Sequence, residues 1–164
     1  MARRLQCSLS EMAQLFDALC DLAELALGCQ SCKSRPPEVT ALQLPRMGGL
    51  VYLSGEHVAM HVGVLSSDAG CRFLTGRLLG KQDLLDLSAP VIRGAMCELA
   101  YLLGGGVRRR LHAAGAIMVG QPCFLEGTVQ PRVGWRAQSI DVELDGHGAT
   151  LIALVRTDSA TLVA

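Results

Sequence analysis

Apolar residues near the start of the chain recur at the three-to-four-residue spacing of an amphipathic helix. They are Met12, Phe16, Leu19, Ala23 and Ala26. The segment just before them, Ser8 to Glu11, has the pattern of a capping box, in which a hydroxyl and a carboxylate satisfy free backbone N–H groups. The spacing predicts a first helix from Ser8 to about Gly28.

Beyond the Pro36-Pro37 pair the period falls to two, which is typical of strands. Residues 50–53 and 57–64 flank a Ser54-Gly55-Glu56 turn and predict a hairpin. In its second strand, alternate apolar residues share one face. They are Val58, Met60, Val62 and Val64.

Helical spacing then returns twice. Ser67-Asp68 caps a predicted helix over Ala69–Leu79, which Gly80 ends. A longer helix begins after Ser88, has Pro90 in its first turn, and runs to about His112, although three consecutive glycines weaken it.

The last third of the chain alternates again. One strand is predicted over Ile117–Gly127, where Pro122 interrupts it, and two more over 139–144 and 149–156. The last two flank an Asp-Gly turn within residues 145–148, a strong hairpin signal. The order α-β-β-α-α-β-β-β predicts an α+β fold whose antiparallel sheet packs against two long helices.

Composition narrows the class of protein. The 164 residues are half apolar, which predicts one domain over 1–164, and the 15 basic and 15 acidic residues argue against a general nucleic-acid or membrane-surface binder. No signal-peptide core or membrane span is found, so we expect a cytoplasmic protein. Its seven cysteines are scattered and odd in number, as expected of reduced thiols.

Candidate chemistry centres on the long helix. Glu98 is one carboxylate in a run of apolar and small residues, and Tyr101 follows it one helical turn later. Gly94 and Gly105 fall close to the same face and leave the backbone bare above and below the pair. Such a face suits close contact with another surface.

The residues of this helix carry a resemblance to a known family. Glu98–Gly105, read as E-L-A-Y-L-L-G-G, resembles the segment E-L-A-N-M-I-x-G of the CheC/CheX/FliY family of chemotaxis phosphatases. Gln121–Gly127 resembles the family's segment of proline, apolar strand and glycine, and Gly49–Gly55 its hairpin. The order of elements is closest to that of CheX, and the resemblance covers most of the chain.

The resemblance implies hydrolysis of the aspartyl phosphate on a CheY-type response regulator. In that mechanism the helix enters the regulator's active site, the glutamate pairs with a regulator lysine, and an asparagine positions water. The Mg²⁺ belongs to the regulator, so this chain needs no cofactor or metal of its own. The resemblance also implies a homodimer, for which we expect unpaired edges in a sheet of Val51–Val64 and Ile140–Val155. A monomer mass by light scattering at micromolar concentration would contradict that expectation.

The chain departs from the family pattern at one catalytic position. Tyr101 stands where the family has asparagine, and the sequence contains no asparagine. A phenol ends several ångströms further from the backbone than a short amide, so its ring fills the water's place more readily than it aims the water. Glu98 carries over and the asparagine does not. Two functions stay open: an active phosphatase, and a degenerate module that binds the receiver without hydrolysis.

Two other groups have alternative interpretations. Arg108 opens an Arg108–Arg110 run that suits either an acidic partner or the solvated C-terminus of a helix. Cys29 and Cys32 have the spacing of half a zinc site or a redox pair, and His57 and His61 would complete a zinc set. A small metal or redox protein is therefore the remote alternative. Against it stands the interpretation of two reduced thiols and two histidines on a solvated strand face.

Overall fold

The computed structural model describes residues 9–35, 46–56, 58–111 and 115–156. The helices are α1 (Leu9–Leu25), α2 (Asp68–Leu79) and α3 (Ala89–Arg110). The strands are β1 (Cys32–Ser34), β2 (Arg46–Gly55), β3 (Ala59–Ser66), β4 (Ile117–Val119), β5 (Cys123–Gly127), β6 (Trp135–Leu144) and β7 (His147–Arg156).

The seven strands form one antiparallel sheet in the order β1-β6-β7-β3-β2-β4, and β5 also pairs with β2. The predicted α+β class with an antiparallel sheet is confirmed. Three helices form, as in the predicted order, but the number of strands needs correction, because the described chain reads α-β-β-β-α-α-β-β-β-β.

Two strands account for the corrected order. β1 has three residues and pairs with 142–144 of β6, which is too short a run for a period of two to reveal. The predicted strand over Ile117–Gly127 is divided at Gly120-Gln121-Pro122 into β4 and β5. Both pair with β2, β4 at residues 53–55 and β5 at 46–50, so one edge of β2 is covered by two short strands.

Turn and cap residues set several boundaries where the sequence predicted them. The Ser67 hydroxyl accepts a hydrogen bond from the N–H of Gly70 at 3.1 Å, and Gly80 ends α2 in the left-handed region with φ 64°. Asp145 (φ 47°) and Gly146 (φ 85°) form the two-residue turn between β6 and β7. Positive φ at both turn positions matches the twist of a hairpin, which is why Asp-Gly signals it.

Helices α1 and α3 are observed close to the limits predicted for them. Helix α1 ends at Leu25, and Gly28 (φ 59°) then lets the N–H of Cys29 reach the Ala23 carbonyl at 2.9 Å. Ser8 and His112 lie outside the described residues. Ser88 is the N-cap of α3, but its side chain makes no capping hydrogen bond.

Helix α3 lies close to the sheet because each side of the contact has a glycine, Gly49 on the sheet and Gly104 on the helix. A Cβ added at Gly49 of β2 would overlap the Met96 carbonyl oxygen, and one added at Gly104 would lie 2.6 Å from the Cγ1 of Val51. The whole glycine run is helical, and within it Gly104 faces the sheet. Around this contact is the main core, to which Val58, Met60, Val62 and Val64 contribute as predicted.

The sheet edges are not where the sequence placed them. β3 and β7 are interior strands, and β2 and β6 are partly covered by β4, β5 and β1. Among the described residues, the free edges belong to β1, to β4 with β5, and to the part of β6 before residue 141. Pairing of two copies stays a prediction with these edges as its surfaces. In the described part of the chain, no helix has the length and apolar character needed to cross a membrane.

Candidate functional site

The predicted site residues lie along one stripe of α3. Gly94, Glu98, Tyr101, Gly105 and Arg108 are separated by alternating steps of four and three residues. At about 100° per residue such steps keep the side chains on one side of a helix. We call this surface the outer stripe.

Glu98 is exposed at the centre of the outer stripe. Within the described residues no hydrogen bond or ion pair engages its carboxylate. The Arg108 guanidinium, also exposed, has no described partner either. By contrast, the neighbouring Arg110 is bonded to Asp21 of α1 and to the carbonyl of Gly106. Within the arginine run, Arg110 thus has contacts inside the fold, whereas Arg108 has none that is described.

The two glycines of the outer stripe leave bare backbone beside Glu98. An added Cβ at Gly94 would meet no atom within 4 Å, and one at Gly105 would meet only the Arg109 guanidinium at 3.8 Å. Nothing in the described fold requires glycine at either position. Tyr101 is 46% exposed, whereas the large apolar side chains on the opposite face of α3, its inner face towards the sheet, are buried.

One flank of the outer stripe is built by β5, whose residues were not among the predicted site residues. The Arg93 guanidinium lies 5.6 Å from the centre of the Phe124 ring and 3.8 Å from the Glu126 carboxylate. Both charged side chains are about 60% exposed, so the ion pair contributes little to stability. These residues are distant in sequence, and the pairing of β5 with β2 brings them to α3.

Cys97, beside Glu98 in the sequence, is not a ready nucleophile. Burial raises the pKa of its thiol, and the Cys123 thiol raises it further. The thiol therefore stays protonated near neutral pH, and the thiolate is the reactive form.

The residues of the remote zinc alternative are described only in part. His57 lies outside the described residues, and His61 lies on β3 between the rings of Tyr52 and Trp135, with ring centres 4.8 and 5.3 Å away. The His61 ring is partly buried, and this burial lowers its pKa. The expectation that His61 lies on a solvated strand face is therefore corrected. The described residues include no group of three or more histidine, cysteine or acidic side chains arranged to hold a metal ion.

Cys29 and Cys32 do share a surface cavity of about 350 Å³, and a third thiol joins them there. Cys20 on α1 places its sulfur 2.7 Å from that of Cys32. Cys20 was not predicted to join them, because no local spacing relates a helical residue to a three-residue strand that begins after the next turn.

Comparison of the fold with solved structures identifies close architectural matches. CheX from Vibrio vulnificus superposes with a TM-score of 0.71 at 14% sequence identity, covering 88% of this chain and 97% of that one. CheX in a CheX–CheY complex with BeF3 and Mg²⁺ from Borrelia burgdorferi gives 0.69 at 15% identity, covering 90% and 98%. FliY from Thermotoga maritima gives 0.60 at 10% identity, covering 92% of each.

Sequence comparisons give no match. No protein-family model matches the chain, and no curated protein matches it either. The similarity therefore lies in the fold, which is that of the CheC/CheX/FliY proteins. The structural resemblance predicted from Glu98–Gly105 and the order of elements is confirmed at that level.

Proposed function

We propose that this chain binds the receiver domain of a phosphorylated CheY-type response regulator through the outer stripe of α3, in chemotaxis or two-component signalling. The observation that carries the proposal is the exposed Glu98 carboxylate, which has no described partner and lies beside the bare backbone of Gly94. A protein of the same fold is known in a complex with CheY, which supports this choice of partner.

The chemistry of the outer stripe suits a charged cleft on the partner. A carboxylate free in the unbound protein loses no internal ion pair when it meets a lysine, so the new interaction is not offset by a broken one. Without a Cβ at Gly94, the partner's surface can approach the helix backbone closely. Arg108 lies about two helical turns beyond Tyr101 and supplies a second exposed charge, which suits an acidic rim on the partner.

Tyr101 directs the proposal towards binding without hydrolysis. The mechanism implied by the family resemblance needs a short amide to hold the attacking water, and the phenol of Tyr101 extends further from the helix. A ring that enters the regulator's site fills the space of that water. The Mg²⁺ in such a complex would be held by the regulator, and this chain would contribute the Glu98 carboxylate.

Hydrolysis is the second candidate function. Tyr101 is 46% exposed on the same face as Glu98, and a phenolic hydroxyl can both donate and accept a hydrogen bond. In this alternative the hydroxyl orients water towards the aspartyl phosphate.

The binding test uses a CheY-type regulator from the same organism, loaded with BeF3 and Mg²⁺ as a stable mimic of its phosphorylated form. We expect Glu98→Ala to weaken binding by about tenfold or more, since the partner's lysine loses its carboxylate. Glu24→Ala is the matched control, because Glu24 is also an exposed helical glutamate but lies on α1. Equal affinities for wild type and Glu98→Ala would contradict docking through the outer stripe.

The hydrolysis test measures phosphate release from the phosphorylated regulator with Mg²⁺ present. We expect no acceleration by wild type and a gain of activity in Tyr101→Asn, which restores the short amide. Acceleration by wild type that disappears in Glu98→Ala would instead establish the second candidate.

A further inference from the structure

Three thiols from separate segments meet at the end of α1. Cys20 and Cys32 are partly exposed and Cys29 is buried, and all three line the same surface cavity. The sulfur atoms of Cys20 and Cys32 are 2.7 Å apart, in direct contact. A disulfide bond is about 2.05 Å long, so the two sulfur atoms lie less than an ångström beyond bonding distance.

We propose that Cys20 and Cys32 form a redox-switchable pair whose disulfide ties α1 to the edge strand β1. This inference is independent of the proposed function. It differs from the redox pair considered from the sequence, because the contact joins Cys20 rather than Cys29 to Cys32.

The oxidant is a small-molecule disulfide. The Cys20 thiolate attacks one of its sulfurs, forming a mixed disulfide and releasing one thiol, and the Cys32 thiolate then attacks the Cys20 sulfur and releases the second. The two protein thiols lose two electrons and two protons, and the small disulfide becomes two thiols.

The environment sets the rate of this exchange. Burial raises the pKa of both thiols, and at Cys32 the contact with Cys20 raises it further. Because only thiolates attack, the reduced pair reacts slowly near neutral pH and responds to sustained oxidation.

The linked state joins α1 and β1 by a covalent bond. α1 also contacts α3, where Asp21 pairs with Arg110. The bond closes a short loop between helix and strand, which restricts the unfolded chain. We expect the oxidised protein to unfold several degrees higher than the reduced protein.

The test treats the folded chain with oxidised glutathione and maps the cross-link after cleavage at glutamate. Cleavage after Glu11, Glu24 and Glu38 places Cys20 in one peptide and both Cys29 and Cys32 in the next. We expect these two peptides to be linked in wild type and in Cys29→Ser, and unlinked in Cys32→Ser.

Two results would overturn the proposal. One is a link that persists in Cys32→Ser and disappears in Cys29→Ser, and the other is the absence of any link in folded wild type. Cys20→Ser provides a second loss variant, with circular dichroism to verify folding, so that a misfolded Cys32→Ser protein does not decide the test.

Discussion

Glycine occurs on both faces of α3, but its role differs between them. On the inner face, Leu99 and Leu103 are at most 1% exposed, and Gly104 allows the helix to approach Val51. On the outer stripe, Gly94 faces open space. A glycine therefore indicates close packing on one face and an unoccupied surface on the other, and only its neighbours distinguish the two.

Two carboxylates show the same contrast. The Asp145 side chain accepts hydrogen bonds from the backbone N–H groups of Ser31 (2.8 Å) and Gln30 (2.9 Å), and it pairs with Arg77 at 2.8 Å. Glu98 has no described partner. Partners within the fold assign Asp145 to structure, whereas the absence of described partners leaves Glu98 available for binding.

The largest expected loss of stability comes from a substitution on the inner face of α3. Leu103→Ala removes a fully buried side chain and should lower the free energy of unfolding by about 2–5 kcal/mol, through lost burial and a residual cavity. Tyr101→Ala on the outer stripe should change it by about 1 kcal/mol or less. Urea unfolding measures both, and equal losses would show that the two faces are packed alike.

Substituting alanine for Gly104 or Gly94 should change stability by a smaller amount, and in opposite directions. Gly104→Ala should destabilise the protein by on the order of 1 kcal/mol, because the clash with Val51 outweighs the higher helix propensity of alanine. Gly94→Ala should stabilise it by up to about 1 kcal/mol, since only the propensity changes. Thermal unfolding of the two variants measures the signs, and a shared sign would remove the distinction.

The smallest effect concerns the carboxylates and pH. The N–H of Ser31, followed by other hydrogen bonds and the Arg77 charge, lowers the pKa of Asp145. Its stabilisation is complete above the ordinary aspartate pKa of about 3.9 and is lost as pH falls through the lowered folded value. The Tm difference between wild type and Asp145→Asn should therefore shrink over that range. A constant difference would contradict this assignment, and Glu98→Gln, the matched variant, should leave the Tm at neutral pH unchanged.

Local chemistry explains which parts of the fold were predictable. Ser67 and Gly80 limit α2 through bonds and dihedral angles that involve only near neighbours, and Asp145-Gly146 does the same for the last hairpin. β1 was not predictable, because its three residues are held by β6, more than a hundred positions later. The flank of the outer stripe on β5 was missed for the same reason.

Helical periodicity is enough to predict the outer stripe, because it places Gly94, Glu98 and Tyr101 on one side of α3. The change between helical and strand periods along the chain likewise predicts the α+β class. The exposure of Glu98 without a described partner, and the contact between Cys20 and Cys32, become visible in the folded structure and not before. Burial and pairing depend on segments distant in sequence, and their contacts exist only once the sheet and helices have packed.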